Sequence, residues 1–199
     1  MIKKVIKKIV KGIINFVFTH FLYRTKYTNL DKLNKYDKCL ICPNHSDKFD
    51  PFYIYAKTDN LSIMAKAELF ENKIVAAILK YFDVFPIRRG EHDTRSLLHA
   101  IKLFKKSEKR KLLIYIEGER MHKDEERGTA KAGPVFIAAE AGVPIVPAYV
   151  TKNPKMFSKV KINFGDAIYI DKSKIKDKDY VKNESQKLLD IIYNLNLDK

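Results

Sequence analysis

The chain has two cysteines, seven glycines and seven prolines among 199 residues, and 24 acidic side chains against 39 lysines and arginines. With so little glycine and proline, and neither recurring at a fixed period, the composition excludes collagen-like repetition and a low-complexity linker, and nothing in it points to disorder. One domain with its own core is expected at this length. Cys39 and Cys42 stand in a C-x-x-C spacing, which invites a redox or zinc reading. No second Cys/His group supplies the missing zinc ligands. Lys38 to Cys42 also reads as a buried strand, where residues three apart point to opposite faces and the thiols cannot meet. Both are expected to be small core residues in a reducing compartment. The shortage of acidic side chains leaves a formal net charge of +15. Such a surface attracts anions, whether phosphate-bearing lipids, an acidic carrier or nucleic acid. No helix-turn-helix pattern, zinc-finger spacing or RNP-type aromatic motif accompanies the charge, which weighs against nucleic acid.

A membrane-spanning run of about 20 apolar residues is also missing. Lys11 and Arg24 bracket the stretch from Ile13 to Leu22, which is about half that length. No small-x-small cleavage site follows it, so a signal peptide is not supported. What is present is an amphipathic helix. Wound at roughly 100° per residue, the N-terminus puts Ile2, Val5, Ile6, Ile9, Ile13, Phe16 and Val17 on one face. Lys3, Lys4, Lys7, Lys8 and Lys11 fall on the other. That pattern fits an anchor lying in the plane of an anionic lipid surface, and the competing reading is a helix packed on the domain's own core. The expected organisation is residues 1–24 as a membrane-surface helix and 25–199 as the main domain. The protein would then be peripheral to the cytoplasmic face of a membrane.

From Lys38 onward, β-rich runs alternate with helical patterns. Cys39 to Cys42, Leu61 to Ala65, Val84 to Ile87, Leu112 to Ile116, Ile145 to Val150 and Val160 to Phe164 are expected strands. Glu68 to Phe82, Thr94 to Lys106, Gly133 to Ala141 and Asp179 to Leu195 are expected helices. The alternation predicts an α/β fold, a mixed, mainly parallel sheet flanked by helices. The lysines and arginines around Lys102 to Lys111 close a helix and need no partner beyond solvent and the helix dipole.

The loop after the first of these strands, Pro43-Asn44-His45-Ser46-Asp47-Lys48-Phe49-Asp50-Pro51, is where such folds place functional groups. His45 can act as a general base if a carboxylate on its other ring nitrogen fixes the tautomer. Asp50 can supply that carboxylate only if the loop folds back, because five helical steps would separate the two side chains by roughly 140°. Asp50 before Pro51 is also a helix-start signal. The two roles are compatible.

Asn44-His45 with Asp50 resembles the N-H-x-x-x-x-D motif of the PlsC-type glycerolipid acyltransferases. Three more blocks follow in the family's order. Phe85-Pro86-Ile87-Arg88-Arg89-Gly90 is similar to the second motif, Glu117-Gly118-Glu119-Arg120 to the Glu-Gly-Thr-Arg motif, and Val143-Pro144-Ile145-Val146-Pro147 to the last. The resemblance covers residues 39 to 150 and implies that His45 is the base. Arg88 and Arg89, with Gly90, would take the acceptor's phosphate, for which a forked guanidinium is suited. Glu117, Gly118 and Arg120 would shape the acceptor pocket, with Lys131 adding positive charge. Glu119 stands where the family has a hydroxyl, and near a phosphate it needs neutralising by Arg88 or Arg120.

The implied activity is transfer of an acyl group from acyl-CoA or acyl carrier protein to the 2-hydroxyl of 1-acylglycerol-3-phosphate, with no metal and no permanently bound cofactor. No Gly-x-Ser-x-Gly elbow is present to support a serine acyl-enzyme, so direct transfer is expected. The rival readings are the same chemistry on another lyso-lipid, or a silent lipid-binding protein of the same fold.

Overall fold

A computed structural model describes residues 2–88, 93–121 and 127–197. The β-rich runs form one seven-stranded sheet. Its strands are β1 (Arg24–Thr28), β2 (Lys38–Pro43), β3 (Leu61–Lys66), β4 (Val84–Ile87), β5 (Arg110–Leu113), β6 (Ile145–Val150) and β7 (Lys159–Phe164). They lie in the order β1-β7-β6-β2-β5-β3-β4. The β6–β7 pair is antiparallel and every other neighbouring pair is parallel. The helices are α1 (Ile2–Phe16), α2 (Leu30–Asn34), α3 (Asp50–Lys57), α4 (Lys73–Tyr81), α5 (Thr94–Lys106), α6 (Gly133–Ala141) and α7 (Lys178–Asn194).

A mainly parallel sheet must be covered on both faces, and the core divides accordingly. Leu40, Cys42, Met64 and Leu112 pack with Ala100 and Phe104 of α5, Ile137 and Ala138 of α6, and Leu188 and Ile192 of α7. Cys39, Ile41, Ile63 and Leu113 pack on the other side with Leu33 of α2 and Tyr53 and Ile54 of α3. The C-x-x-C cysteines therefore sit in opposite half-cores, both fully buried and unpaired. Burial pushes the Cys39 thiol up to about 12 and Cys42 higher still.

Three features differ from the sequence reading. β1 and α2 escaped it, because Arg24-Thr-Lys-Tyr-Thr28 is a polar edge strand paired on one side by β7 alone. The expected helix Glu68 to Phe82 is broken in two, with a 3₁₀ turn over Ala67–Phe70 before α4. Asn72 makes the break, its side-chain oxygen accepting the Ile74 and Val75 N–H groups as an N-cap. β5 ends at Leu113 instead of Ile116. Beyond one last bond from Ile114 N–H to the Ile41 carbonyl, the chain leaves the sheet and turns where Gly118 N–H meets the Tyr115 carbonyl.

α1 lies with Lys7 and Lys11 toward the body. Lys7 Nζ bonds Asp83 at 2.6 Å, and Lys11 Nζ reaches Asp59 at 2.5 Å and the Thr58 carbonyl at 3.1 Å. Val5, Ile6, Ile9, Ile13 and Phe16 face outward, 43 to 62% exposed. A helix using this stripe to pack on its own core would have buried it. No helix among the described residues is long and apolar enough to cross a membrane.

Candidate active site

The carboxyl ends of β2, β4 and β5 lie along one edge of the sheet, and each feeds a functional loop, as parallel α/β sheets favour. β2 delivers Asn44 and His45. Asn44 is 1% exposed, and its amide pairs with the backbone of Val150 in both directions. Its oxygen accepts Val150 N–H at 2.7 Å and its nitrogen donates to the Val150 carbonyl at 3.0 Å. The loop therefore leaves the sheet clamped to the end of β6.

The loop folds back as the five-residue spacing requires. His45 Nδ1 lies 3.0 Å from Asp50 Oδ2, and the same oxygen accepts the Ser46 and Asp47 N–H groups at 2.9 Å each. An ionised carboxylate only accepts, so Nδ1 carries the proton and Nε2 keeps its lone pair. Asp50 is fully buried. Burial pushes its carboxyl above the usual value, and the bonds from His45 and the two amides offset part of that rise. Asp50 opens α3 but does not cap it. The N-cap position falls at Phe49, which makes no side-chain cap bond, and the Asp50 carboxylate spends its bonds on the preceding loop. Pro51 follows in the first turn of the helix.

The His45 ring stacks on Tyr115 with centroids 3.8 Å apart and planes 18° from parallel. One face of the imidazole is thus covered, and 9% of the side chain remains exposed. Backbone bonds fix the rest. His45 N–H donates to Glu117 Oε2 at 2.8 Å and its carbonyl accepts Met121 N–H at 2.8 Å.

Glu117 is turned inward, 1% exposed. Besides His45 it holds Gly128 N–H at 3.1 Å and the Tyr193 hydroxyl at 2.5 Å, both on Oε1. Its carboxylate joins the His45 loop, the chain at Gly128 and α7. Gly118 has φ of +74°, a left-handed conformation that glycine adopts without penalty. The Lys131 side chain lies over it, and a Cβ there would come within 3.2 Å of Lys131 Cγ. Lys131 N–H donates to the Ile116 carbonyl at 2.9 Å. Glu119 and Arg120 are exposed. Val143-Pro144-Ile145-Val146-Pro147 enters β6, beside β2, as a buried apolar wall.

Arg88, exposed after β4, borders a cavity of about 700 Å³ with Phe70, Glu71, Asp93, Thr94 and Arg95 among its lining. Its backbone N–H donates to Asp93 Oδ2 at 2.8 Å, and Asp93 also caps α5 by accepting Ser96 N–H at 3.0 Å. The lining of this cavity does not include His45. Arg89 and Gly90 lie outside the described residues. Among the described residues, no group of three or more His, Cys, Asp or Glu side chains is placed to hold a metal.

Sequence reasoning named Asn44 only within the motif, without a role, and passed over Tyr115 and Tyr193. Asn44 carried a signal, a polar side chain directly after an apolar strand. Tyr115 reads as strand interior, and nothing local marks Tyr193, 76 residues from Glu117.

A family model described as Acyltransferase matches residues 24–151. A 1-acyl-sn-glycerol-3-phosphate acyltransferase of Streptococcus pneumoniae is 32% identical over 153 residues, 72% of this chain and 55% of that protein. One from Bacillus subtilis is 38% identical over 85 residues, 43% of this chain and 40% of that protein. The chain thus spans about half the length of the curated relatives it matches. The crystal structure of the 1-acyl-sn-glycerophosphate (LPA) acyltransferase PlsC from Thermotoga maritima superposes with a TM-score of 0.72 at 18% identity, over 96% of this chain and 80% of that one. It shares the fold.

Proposed function

Because the chain belongs to the Acyltransferase family, we propose that it moves a fatty acyl group from an acyl thioester, on coenzyme A or acyl carrier protein, to the 2-hydroxyl of 1-acylglycerol-3-phosphate, forming phosphatidate. The observation that carries this reading is the 3.0 Å contact between His45 Nδ1 and Asp50 Oδ2. It leaves Nε2 as the base. The acceptor hydroxyl gives its proton to Nε2 as its oxygen bonds the thioester carbon. The carbon–sulfur bond then breaks, and the thiolate leaves as thiol with the proton His45 returns. Asp50 steadies the imidazolium between these events, and the stacked Tyr115 ring offers it a π face. A positioned base of this kind contributes on the order of 10² to 10⁴ in rate. Arg88, exposed after β4, is suited to the acceptor's phosphate.

The reaction is placed at an anionic membrane surface, with α1 as the in-plane anchor. The outward stripe from Val5 to Phe16 supports this. So does a second exposed apolar stripe, Ile74, Val75 and Ile78 of α4, a helix whose C-terminal end reaches Lys7 through the Tyr81 ring.

The decisive assay incubates lysophosphatidate with acyl-CoA and with acyl carrier protein thioester, on vesicles, comparing wild type with His45→Ala. Phosphatidate formed by the wild type and lost in the variant is expected. A folded, vesicle-bound protein that forms none with either donor refutes the reading. Other lyso-lipids offered in competition test whether Glu119, exposed beside Arg120, has changed the acceptor.

A further inference from the structure

α7 lies beyond the matched segment, which ends at residue 151, yet it returns one side chain to the site. Tyr193, in its last turn and half-buried, sets its ring edge-on to Tyr149 of β6 with centroids 5.9 Å apart. Its hydroxyl donates to Glu117 Oε1 at 2.5 Å. Glu117 in turn holds the backbone N–H of His45 at 2.8 Å and of Gly128 at 3.1 Å. Three separate stretches, the His45 loop, the chain after the third motif and α7, thus meet on one buried carboxylate. The two backbone donors belong to loops. The tyrosine is fixed by a helix and packed against a strand, so it is the rigid member that sets the carboxylate's direction. A hydroxyl-to-carboxylate bond is also among the stronger hydrogen bonds.

We propose that Tyr193 is a positioning residue for acyl transfer, fixing Glu117 and through it the backbone of His45, and hence the aim of the imidazole. The inference rests on the acyltransferase reading above. Desolvation first, and the Glu117 bond second, hold the Tyr193 hydroxyl well above its ordinary pKa, so it remains a donor across the working pH range. Because a displacement of about 1 Å in a reacting group costs up to about 10²-fold in rate, loss of this one hydroxyl has a readable consequence.

Tyr193→Phe in the full chain removes that oxygen and keeps the ring. The expected result is a kcat about 10- to 100-fold lower, with KM for the acyl donor essentially unchanged and faster amide exchange in the peptide containing residue 45. In a Glu117→Gln background the same substitution has a much smaller effect, since coupled residues do not add. A wild-type kcat in Tyr193→Phe, or the same fold-loss in both backgrounds, overturns the proposal. If Tyr193→Phe melts early, exchange measured well below its melt decides. Protection lost at residue 45 and kept in β6 supports the proposal, and protection lost throughout overturns it. If the wild type transfers no acyl group, the reaction assignment fails separately, and the exchange pattern alone decides whether Tyr193 holds residue 45.

Discussion

Asp50 has no exposure to water, and its carboxyl is pushed up by burial. A raised carboxyl pKa means the protonated form stabilises the fold. That contribution is complete below the ordinary carboxylate value, 3.8, and is lost as pH rises through the folded value. The ionised form of Asp50 therefore costs stability while holding the His45 tautomer. Asp50→Asn keeps an oxygen for the three donors that converge on Oδ2 and removes the charge. Its melting temperature at pH 7 is expected to equal or exceed wild type in calorimetry, while acyl transfer falls about 10²- to 10⁴-fold. Equal activity in the two proteins would leave Asp50 a purely structural group. Gly118 answers to a different force. Alanine there must hold φ near +74° and push on Lys131, at about 1–2 kcal/mol for the left-handed backbone alone. Urea denaturation of Gly118→Ala measures this, and an unchanged midpoint would contradict it.

At the scale of elements, α5, α6 and β6 agree residue for residue with their sequence patterns. α5 carries a clean apolar period behind the Asp93 cap, and β6 is an apolar strand buried along its whole length. Expectation failed where partners decide. β1 is polar and exists as a strand because β7 offers it an edge, and β5 stops short because its chain leaves the sheet after Leu113 while β2 and β3 run on beside β6 and β4. α1 was legible as an amphipathic helix, but the direction of its two faces was not. Since Ile9 and Ile13 are 57% and 56% exposed, Ile9→Glu with Ile13→Glu should leave the thermal melt within error and weaken sedimentation with anionic vesicles. An equal loss of stability would mean that the stripe packs within the protein.

Across the whole molecule, the net charge of +15 predicts vesicle binding that strengthens with the anionic lipid fraction and declines with salt, at about 1 kcal/mol per basic residue near the surface. Binding indifferent to both would leave the apolar stripe as the sole attraction. The sheet's two-sided cover makes a second test. Cys39 and Cys42 are buried in opposite half-cores with thiols raised by burial, so neither should react with a thiol reagent until the protein unfolds, and then both should. Labelling of one cysteine in the native state would expose a local opening of that face.

The sequence alone determined the alternation of strands and helices, the loop carrying His45 and Asp50, and the apolar stripe of α1. These follow from periodicity and from residues close in the chain. Tertiary structure decided what joins distant parts: Glu117 turning inward to the His45 backbone, Tyr193 closing on Glu117 from 76 residues away, Tyr115 under the imidazole, and Lys7 and Lys11 of α1 facing Asp83 and Asp59. A local pattern encodes which residues share a face. What that face meets depends on chain brought in from elsewhere, and on which buried polar atoms remain to be satisfied.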